Sequence, residues 1–169
     1  MVKYYTGVGS RKTPPDILSL MTRIAKYLHS LGYILRSGAA DGADKAFEEG
    51  AGNRKEIFLP WKGFNGSTSE LYNIPVDAFV IAKSVHPNWE RCDEAVRKLH
   101  ARNVLQVYGR NLNSCSQFLV CWTRNAKLVG GTATAINLAE QNNIPVFNLA
   151  REDHKTRILQ RIDTKYRRS

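Results

Sequence analysis

Cysteine is scarce in this chain, and no apolar run is long enough to cross a membrane. The three cysteines, Cys92, Cys115 and Cys121, form no CxxC pair, which argues against a disulfide framework and a cysteine zinc site. A membrane span needs roughly 18 apolar residues, and the first ten residues lack the apolar core of a signal peptide. We therefore expect a cytoplasmic protein with no membrane partner.

The patterns of several catalytic and metal sites are also missing. The four histidines are scattered and form no HExxH sequence, so no metal is expected. No nucleophile elbow accompanies a Ser/His/Asp set. The sequence therefore favours a binding function over metal-dependent or Ser/His/Asp hydrolase chemistry.

Acidic residues are few beside the basic ones. The chain has 25 Lys and Arg against 15 Asp and Glu, a formal net charge of +10, and such a charge attracts polyanions, nucleic acid included. Residues 151–169 hold seven of the basic residues and three acids, while Ile158, Ile162 and Tyr166 recur every fourth position. This pattern predicts a basic amphipathic helix that packs on the domain or trails it, with a solvated basic face as the simplest role for its charge.

Strand-like and helix-like segments alternate along the chain. We predict strands over 3–8, 33–36, 55–59, 118–122 and 144–149. The intervening helices are expected to begin with Thr13 as N-cap, at Ala43, at Pro87 and after Gly131, whereas 76–85 fits either a strand or a helix. The alternation predicts an α/β fold, a Rossmann-like doubly wound, mostly parallel sheet with helices on both faces. Residues 1–150 would form the domain and 151–169 the basic helix.

Glycine-bearing turns follow four of the predicted strands, at residues 6–11, 37–44, 61–66 and 130–134. Ligands of open α/β sheets bind at the carboxyl ends of strands, and small residues let backbone N–H groups approach an anion. We therefore predict a phosphate-binding cradle built from Gly7, Gly9, Ser10, Gly38, Gly131 and Thr132. Neighbouring candidates are Ser37, Ala39, Gly130 and Thr134, and Arg11 either contacts phosphate or is a surface arginine.

Two aspartates and two tryptophans have both structural and functional interpretations. Asp41 could cap the helix that begins at Ala43, and Asp44 could complement its dipole; alternatively, either carboxylate binds ribose hydroxyls or assists a water. Trp61 and Trp122 are core aromatics or stack on a base.

The same motifs resemble a known superfamily. VGSR, SGAADGADKAFEEGA, FLPWKGFNG, the Arg102–Asn103 pair and GGTATAINLAEQNNIPVFNL occur in this order over residues 3–150. They resemble the SLOG superfamily, most closely its YspA-like branch, with the DNA-processing protein A (DprA) and the LOG phosphoribohydrolases as more distant relatives, and they are similar to bacteriophage-encoded versions. The resemblance implies a Rossmann-like domain that binds a nucleotide or nucleotide-derived ligand, with Arg102 and Asn103 at the pocket. Periodicity alone makes Asn103 equally a helix-end residue.

One departure from the LOG enzymes bears on catalysis. Their PGGxGTxxE motif carries a glutamate that does chemistry, and aligning Gly131–Thr132 on its GT places Ala135 at that glutamate. Val129 stands before the two glycines in place of proline. LOG-type hydrolysis is therefore in doubt.

Three functions compete at this stage. The first is a protein that senses or sequesters a nucleotide, with no other cofactor. The second is an enzyme that cleaves an N-glycosidic or phosphate bond of a nucleotide, with Asp41 and Asp44 as candidate catalytic residues. The third is a DprA-like single-stranded DNA binder. We also expect weak non-specific nucleic-acid binding, a homo-oligomer, and a bacterial or phage-infected cell as the setting.

Overall fold

The computed structural model describes residues 1–168, with side chains through residue 163. Within that range the chain forms five strands and six α-helices. The strands are β1 (Lys3–Gly7), β2 (Tyr33–Ser37), β3 (Lys55–Ile57), β4 (Leu119–Cys121) and β5 (Val146–Asn148). The helices are α1 (Pro15–Ser30), α2 (Ala43–Ala51), α3 (Val76–Val85), α4 (Glu94–Tyr108), α5 (Thr132–Gln141) and α6 (Glu152–Arg168).

The five strands form one parallel sheet in the order β3-β2-β1-β4-β5. The strand order reverses between β1 and β4, where Thr6 pairs with Leu119 and Gly7 with Val120. Such a reversal opens a crevice outside the carboxyl ends of the two strands, where open α/β sheets bind their ligands. The predicted Rossmann-like α/β fold is confirmed.

Helices cover both faces of the sheet because alternate strand residues point to opposite sides. In β4, Val120 belongs to a core that α1, α2 and α6 complete, which we call the first face. Leu119 and Cys121 belong to a second core, completed by α3, α4 and α5, which we call the second face. This strand therefore carries apolar residues on both sides, which is typical of a buried strand in a parallel sheet.

Two helix starts differ from the prediction. Pro14, and not Thr13, precedes the first turn of α1, because the Thr13 hydroxyl donates to the Ser10 carbonyl at 2.6 Å. Pro87 does not open α4; a short 3-10 turn, Trp89–Arg91, intervenes. The helix begins after Asp93, whose carboxylate accepts a hydrogen bond from the Val96 N–H at 2.9 Å.

The helix α3 occupies the segment for which both a strand and a helix had been considered. Its buried residues are Ala78 and Ala82, one turn apart, which lie against the second face. Because the segment is apolar on nearly every side, its sequence has no helical period to read. None of the helices within residues 1–168 combines the length and apolar character that crossing a bilayer requires.

The last helix contacts the first face. Ile162 is 1% exposed within that core, and Ile158 packs beside it. Arg23 of α1 pairs with Asp163 at 3.3 Å. The Tyr166 side chain lies outside the described residues, and the proposed domain boundary at residue 150 stays a prediction.

The three cysteines are unpaired and differ in access. Cys115 is exposed in the segment between α4 and β4, and Cys92 is half-buried. Cys121 is buried in β4, and burial raises the pKa of its thiol to about 12.

Candidate functional site

The four glycine turns lie at one edge of the sheet. They follow β1, β2, β3 and β4, whose carboxyl ends share that edge because all the strands are parallel. We call the loops 8–14, 38–42, 58–66 and 122–131 the carboxyl edge. It contains ten of the seventeen predicted binding residues. The other seven lie in flanking elements: Gly7 and Ser37 end β1 and β2, Asp44, Thr132 and Thr134 are in the first turns of α2 and α5, and Arg102 and Asn103 are in α4.

Backbone hydrogen bonds join the loop after β1 to β4 and to the loop that follows β4. The Val8 N–H donates to the Val120 carbonyl and the Ser10 N–H to the Trp122 carbonyl, both at 3.1 Å. A Cβ on Gly9, between them, would lie 2.7 Å from the Ala43 Cβ, well inside contact distance. The small residues here therefore pack the loops on one another and on the start of α2.

Asp41 does not cap α2, so that hypothesis is wrong. The residue before the helix is Gly42, and no side chain caps the first turn. Gly42 has a φ of 81°, and a Cβ there would lie 2.8 Å from the backbone of Arg11. The exposed Asp41 carboxylate instead accepts from Asn65 Nδ2 at 3.0 Å and pairs with Lys45 at 3.1 Å. The Asn65 hydrogen bond and Lys45 lower the pKa of Asp41.

Asp44 lies in the first turn of α2 but is only 4% exposed. One carboxylate oxygen accepts the Ala40 N–H at 3.2 Å. Burial raises the pKa of Asp44 to about 6, although the nearby Arg102 charge opposes that rise. The Asp44 carboxylate therefore stabilises the turn after β2 through its hydrogen bond to the Ala40 N–H.

Arg102 and Asn103 connect three loops of the carboxyl edge. Arg102 Nη1 donates to the carbonyls of Gly38, at 2.5 Å, and Phe58, at 3.2 Å. Its Nε donates to Asn103 Oδ1 at 2.9 Å, and Asn103 Nδ2 donates to the Gly131 carbonyl at 2.9 Å. Burial lowers the pKa of Arg102 to about 10, so the guanidinium stays charged at neutral pH. The pair holds the turns after β2, β3 and β4 together.

Three of the four hydroxyl groups predicted at the site make hydrogen bonds within the protein. The Ser37 hydroxyl donates to the Gly7 carbonyl at 2.6 Å, and Ser10 Oγ accepts the Lys12 N–H at 3.0 Å. Thr134 Oγ1 lies 2.9 Å from Nδ1 of His100, a buried ring whose pKa burial lowers to about 4. Ser37 and Thr134 are therefore held by contacts within the protein, whereas the Ser10 hydroxyl proton and the Thr132 hydroxyl have no partner among the described residues and could bind a ligand.

Of the two glycines before α5, Gly130 and not Gly131 needs backbone freedom. Gly130 has a φ of 69°, in the left-handed region, whereas Gly131 has a φ of −64°. A Cβ on Gly131 would lie 3.4 Å from Asn103 Nδ2, an ordinary contact. Backbone freedom therefore does not explain the glycine at position 131, and its place in the phosphate-binding cradle, where a ligand would approach closely, stays a prediction.

The two candidate tryptophans have different environments. Trp61 is 40% exposed and meets Phe64 edge-on at a centroid distance of 5.4 Å. Trp122 is 9% exposed and belongs to the core of the first face. Only Trp61 presents a substantial surface on which a base could stack.

Ala39 adopts a left-handed φ of 61° although it is not glycine, and it is buried. Its carbonyl accepts from Asn65 Nδ2 at 2.9 Å. Strained backbone of this kind clusters at binding sites, where the surrounding structure holds it in place. Leu112 and Asn143, away from the carboxyl edge, share this conformation, so the strain alone assigns no function to the turn after β2.

Several exposed cations on the carboxyl edge were not among the predicted site residues. They are Lys12, Lys62, Arg124 and Lys127, and they accompany the predicted Arg11, which is also exposed. None of the five enters the ion pairs found among the described residues. Their signal in the sequence was a basic residue in or just after the turns at 6–11 and 61–66 and just before the turn at 130–134, which the emphasis on glycine obscured.

Neither a metal-binding cluster nor a counterpart of the LOG glutamate is found among the described side chains of this site. Across the side chains described, no three His, Cys, Asp or Glu residues lie where they could hold a metal ion. Ala135, aligned with the LOG glutamate, is 1% exposed in the core of the second face. The site is therefore an exposed, cationic rim over a buried polar network.

Comparison with known proteins supports the fold. No protein-family model and no curated protein matches this chain. Among solved structures, DNA processing protein A from Helicobacter pylori, described for its single-stranded DNA binding mode, matches with a TM-score of 0.57. The match covers 95% of this chain and 72% of that chain at 17% sequence identity. At that identity the likeness concerns the fold alone, a Rossmann-like α/β domain.

Proposed function

We propose that the carboxyl edge binds single-stranded nucleic acid. The proposal rests on a difference between the buried and the exposed side chains of the carboxyl edge. The polar groups expected to line a small pocket, above all Asp44, Arg102 and Thr134, are buried and hydrogen-bonded within the protein.

The exposed side chains include five cations outside any ion pair found among the described residues and one tryptophan. Asp41, the exposed acid of these loops, is paired with Lys45, and Leu128 and Val129 are exposed apolar neighbours of the cations.

The cations and Trp61 follow one another along the sheet. Trp61 comes after β3, Arg11 and Lys12 after β1, and Arg124 and Lys127 after β4. Three strand spacings, roughly 14 Å in all, separate the ends of this row. A nucleic-acid strand laid along it would place a base on Trp61 and phosphates on the cations, the combination that single-stranded nucleic-acid binders use.

The structural neighbour supports the same function, because its fold is that of a protein described as binding single-stranded DNA. The ordered motifs support a further proposal, that this chain belongs to the SLOG superfamily in its YspA-like branch and has bacteriophage-encoded relatives. The net charge of +10 would favour the encounter with any polyanion.

Fluorescence anisotropy with labelled oligo-dT tests the proposal. Each phosphate that a cation neutralises adds about 0.7 to the slope of log affinity against log salt on single strands. Changing both Arg124→Gln and Lys127→Gln should therefore weaken binding and reduce that slope by about 1 to 1.5. Trp61→Ala should weaken binding by about tenfold without changing the slope.

The matched control is Lys26→Gln with Arg110→Gln, which removes the same charge from exposed positions off the carboxyl edge. It should change the slope less than the Arg124 and Lys127 pair does. Equal effects of the two pairs would show that binding follows net charge alone and would overturn the proposed interface.

A small nucleotide-derived ligand is a second candidate, favoured by one local feature. Gly130 and Gly131 are exposed directly before α5, and the N–H groups at a helix start bind phosphate. Mass spectrometry of molecules released from the purified, denatured protein would detect such a ligand. A stoichiometric nucleotide that survives purification and resists oligo-dT would promote this candidate over the first.

A further inference from the structure

A pocket lies on the first face of the sheet, away from the carboxyl edge. It has a volume of about 270 Å³ and is enclosed by α1, by the strands and by α6. Its floor includes Tyr33, Phe118 and Phe147, and Tyr27 and Leu31 of the α1 segment form one wall. Ligand pockets begin at about 300 Å³, so this one suits a molecule of about one ring.

The opposite wall is cationic. Arg157 and Arg161 of α6 line the pocket, and no acidic residue does. The Arg157 guanidinium lies over the Phe147 ring at 5.7 Å, and no ion pair found among the described residues includes either arginine. An aromatic floor beside two uncompensated guanidinium groups is complementary to a flat molecule with one anionic end.

A buried hydroxyl lies behind the aromatic floor, outside the lining of the pocket. Tyr5 is 1% exposed, and its OH has no hydrogen-bond partner among the described residues. Its ring stacks on Phe118 at 5.7 Å and meets Tyr33 edge-on at 6.3 Å, and both of these rings line the pocket. Leaving such a donor unpaired costs about 1 to 3 kcal/mol, and a buried water commonly explains it, so the hydroxyl does not itself identify an occupant of the pocket.

From the aromatic floor and the cationic wall we propose that this pocket binds a small planar aromatic carboxylate. The ring would lie among Phe118, Tyr33 and Phe147, with the carboxylate at Arg157 and Arg161. The site is separate from the carboxyl edge, and it does not depend on nucleic-acid binding there.

Titration with 4-hydroxybenzoate, followed by the backbone amide signals of the full chain in NMR, tests this proposal. We expect saturable shifts confined to amides of the pocket. The neutral 4-hydroxybenzamide should bind at least about tenfold more weakly, as should 4-hydroxybenzoate to the Arg157→Gln, Arg161→Gln protein, because a charge-assisted contact would be lost.

The matched control, Arg91→Gln with Arg110→Gln, removes two charges from exposed positions outside the pocket lining and should leave the affinity for 4-hydroxybenzoate unchanged. Absence of saturable shifts would overturn the proposal. Equal binding of the amide, an undiminished affinity in the Arg157 and Arg161 variant, or shifts centred on the carboxyl edge would overturn it as well.

Discussion

Asp44 and His100 are buried titratable residues whose effects on stability oppose one another. Burial raises the pKa of Asp44 from 3.8 to about 6 and lowers that of His100 from 6.5 to about 4. At a pH between 3.8 and about 6, the folded protein holds a proton on Asp44 that the unfolded chain has released. At a pH between about 4 and 6.5, the folded protein lacks a proton on His100 that the unfolded chain has bound. As pH rises through these windows, Asp44 therefore lowers the free energy of unfolding and His100 raises it.

Asp44→Asn should remove the first of these effects. Relative to the wild type, the variant should gain up to about 3 kcal/mol in the free energy of unfolding between about pH 4 and about pH 7, since one pKa unit corresponds to about 1.4 kcal/mol. Urea unfolding across this range measures the difference. The exposed Asp77→Asn is the control and should show no comparable trend; a flat difference for Asp44→Asn would contradict the burial argument.

His100→Asn should have the opposite pH signature. The wild type loses stability as pH falls from about 6.5 to about 4, because the buried ring resists protonation while the unfolded chain binds a proton. The variant should lack this loss, so its stability relative to wild type should improve toward low pH. The same urea titrations test the sign, and a relative stability that worsens toward low pH would refute it.

At the scale of the turn before α5, two adjacent glycines should respond differently to the same change. Gly130→Ala places a Cβ at a φ of 69° and should lower the free energy of unfolding by about 1 kcal/mol. Gly131→Ala keeps an ordinary helical φ and makes only a normal contact, so it should be close to neutral. Thermal unfolding of the two variants decides the matter; equal losses would show that the turn is not as described.

At the scale of the structural element, the stability of the loops at the carboxyl edge depends on Arg102. Arg102→Met would leave the Gly38 and Phe58 carbonyls without their shared donor and should lower stability by about 3 kcal/mol. Amides of the loops 38–42 and 58–66 should exchange hydrogen faster, while those of β5 should keep their relative protection. Uniform acceleration across the whole sheet would instead indicate a general loss of stability.

The sequence predicted the elements better than it predicted the roles of side chains at the site. Alternating apolar runs and glycine turns were enough to place the strands and the carboxyl edge. The role of Arg102 was not visible, because its partners are backbone carbonyls from loops 44 and 64 residues away in the chain. Trp122 could not be assigned to the core or the surface, because that depends on α1 and α2 packing over β4.

At the scale of the whole molecule, α6 should contribute to stability through packing as well as charge. Ile162→Ala removes a side chain that is 1% exposed in the first core and should cost about 2 to 4 kcal/mol. Denaturant unfolding measures the loss. Thr156→Ala, at an exposed position of α6, is the control; an equal effect of the two would mean that α6 does not pack as described.

This packing also affects how the charge of the tail should be tested. Removing residues 151–169 would take away an excess of four positive charges, but it would also uncover the core beneath Ile162. Weaker nucleic-acid binding by the shortened chain would therefore mix electrostatics with unfolding. Point substitutions of exposed cations separate the two effects.

The unequal access of the three cysteines offers a route to site-specific labelling. A thiol reacts as the thiolate, so Cys121, buried and with a pKa of about 12, should resist maleimide reagents. In a Cys92→Ser protein, Cys115 then remains as the exposed thiol of the described chain. It lies just before β4 begins, at the end of the sheet opposite the carboxyl edge. A fluorophore attached there could report energy transfer from a dye-labelled oligonucleotide without obstructing the surface on which the strand would lie.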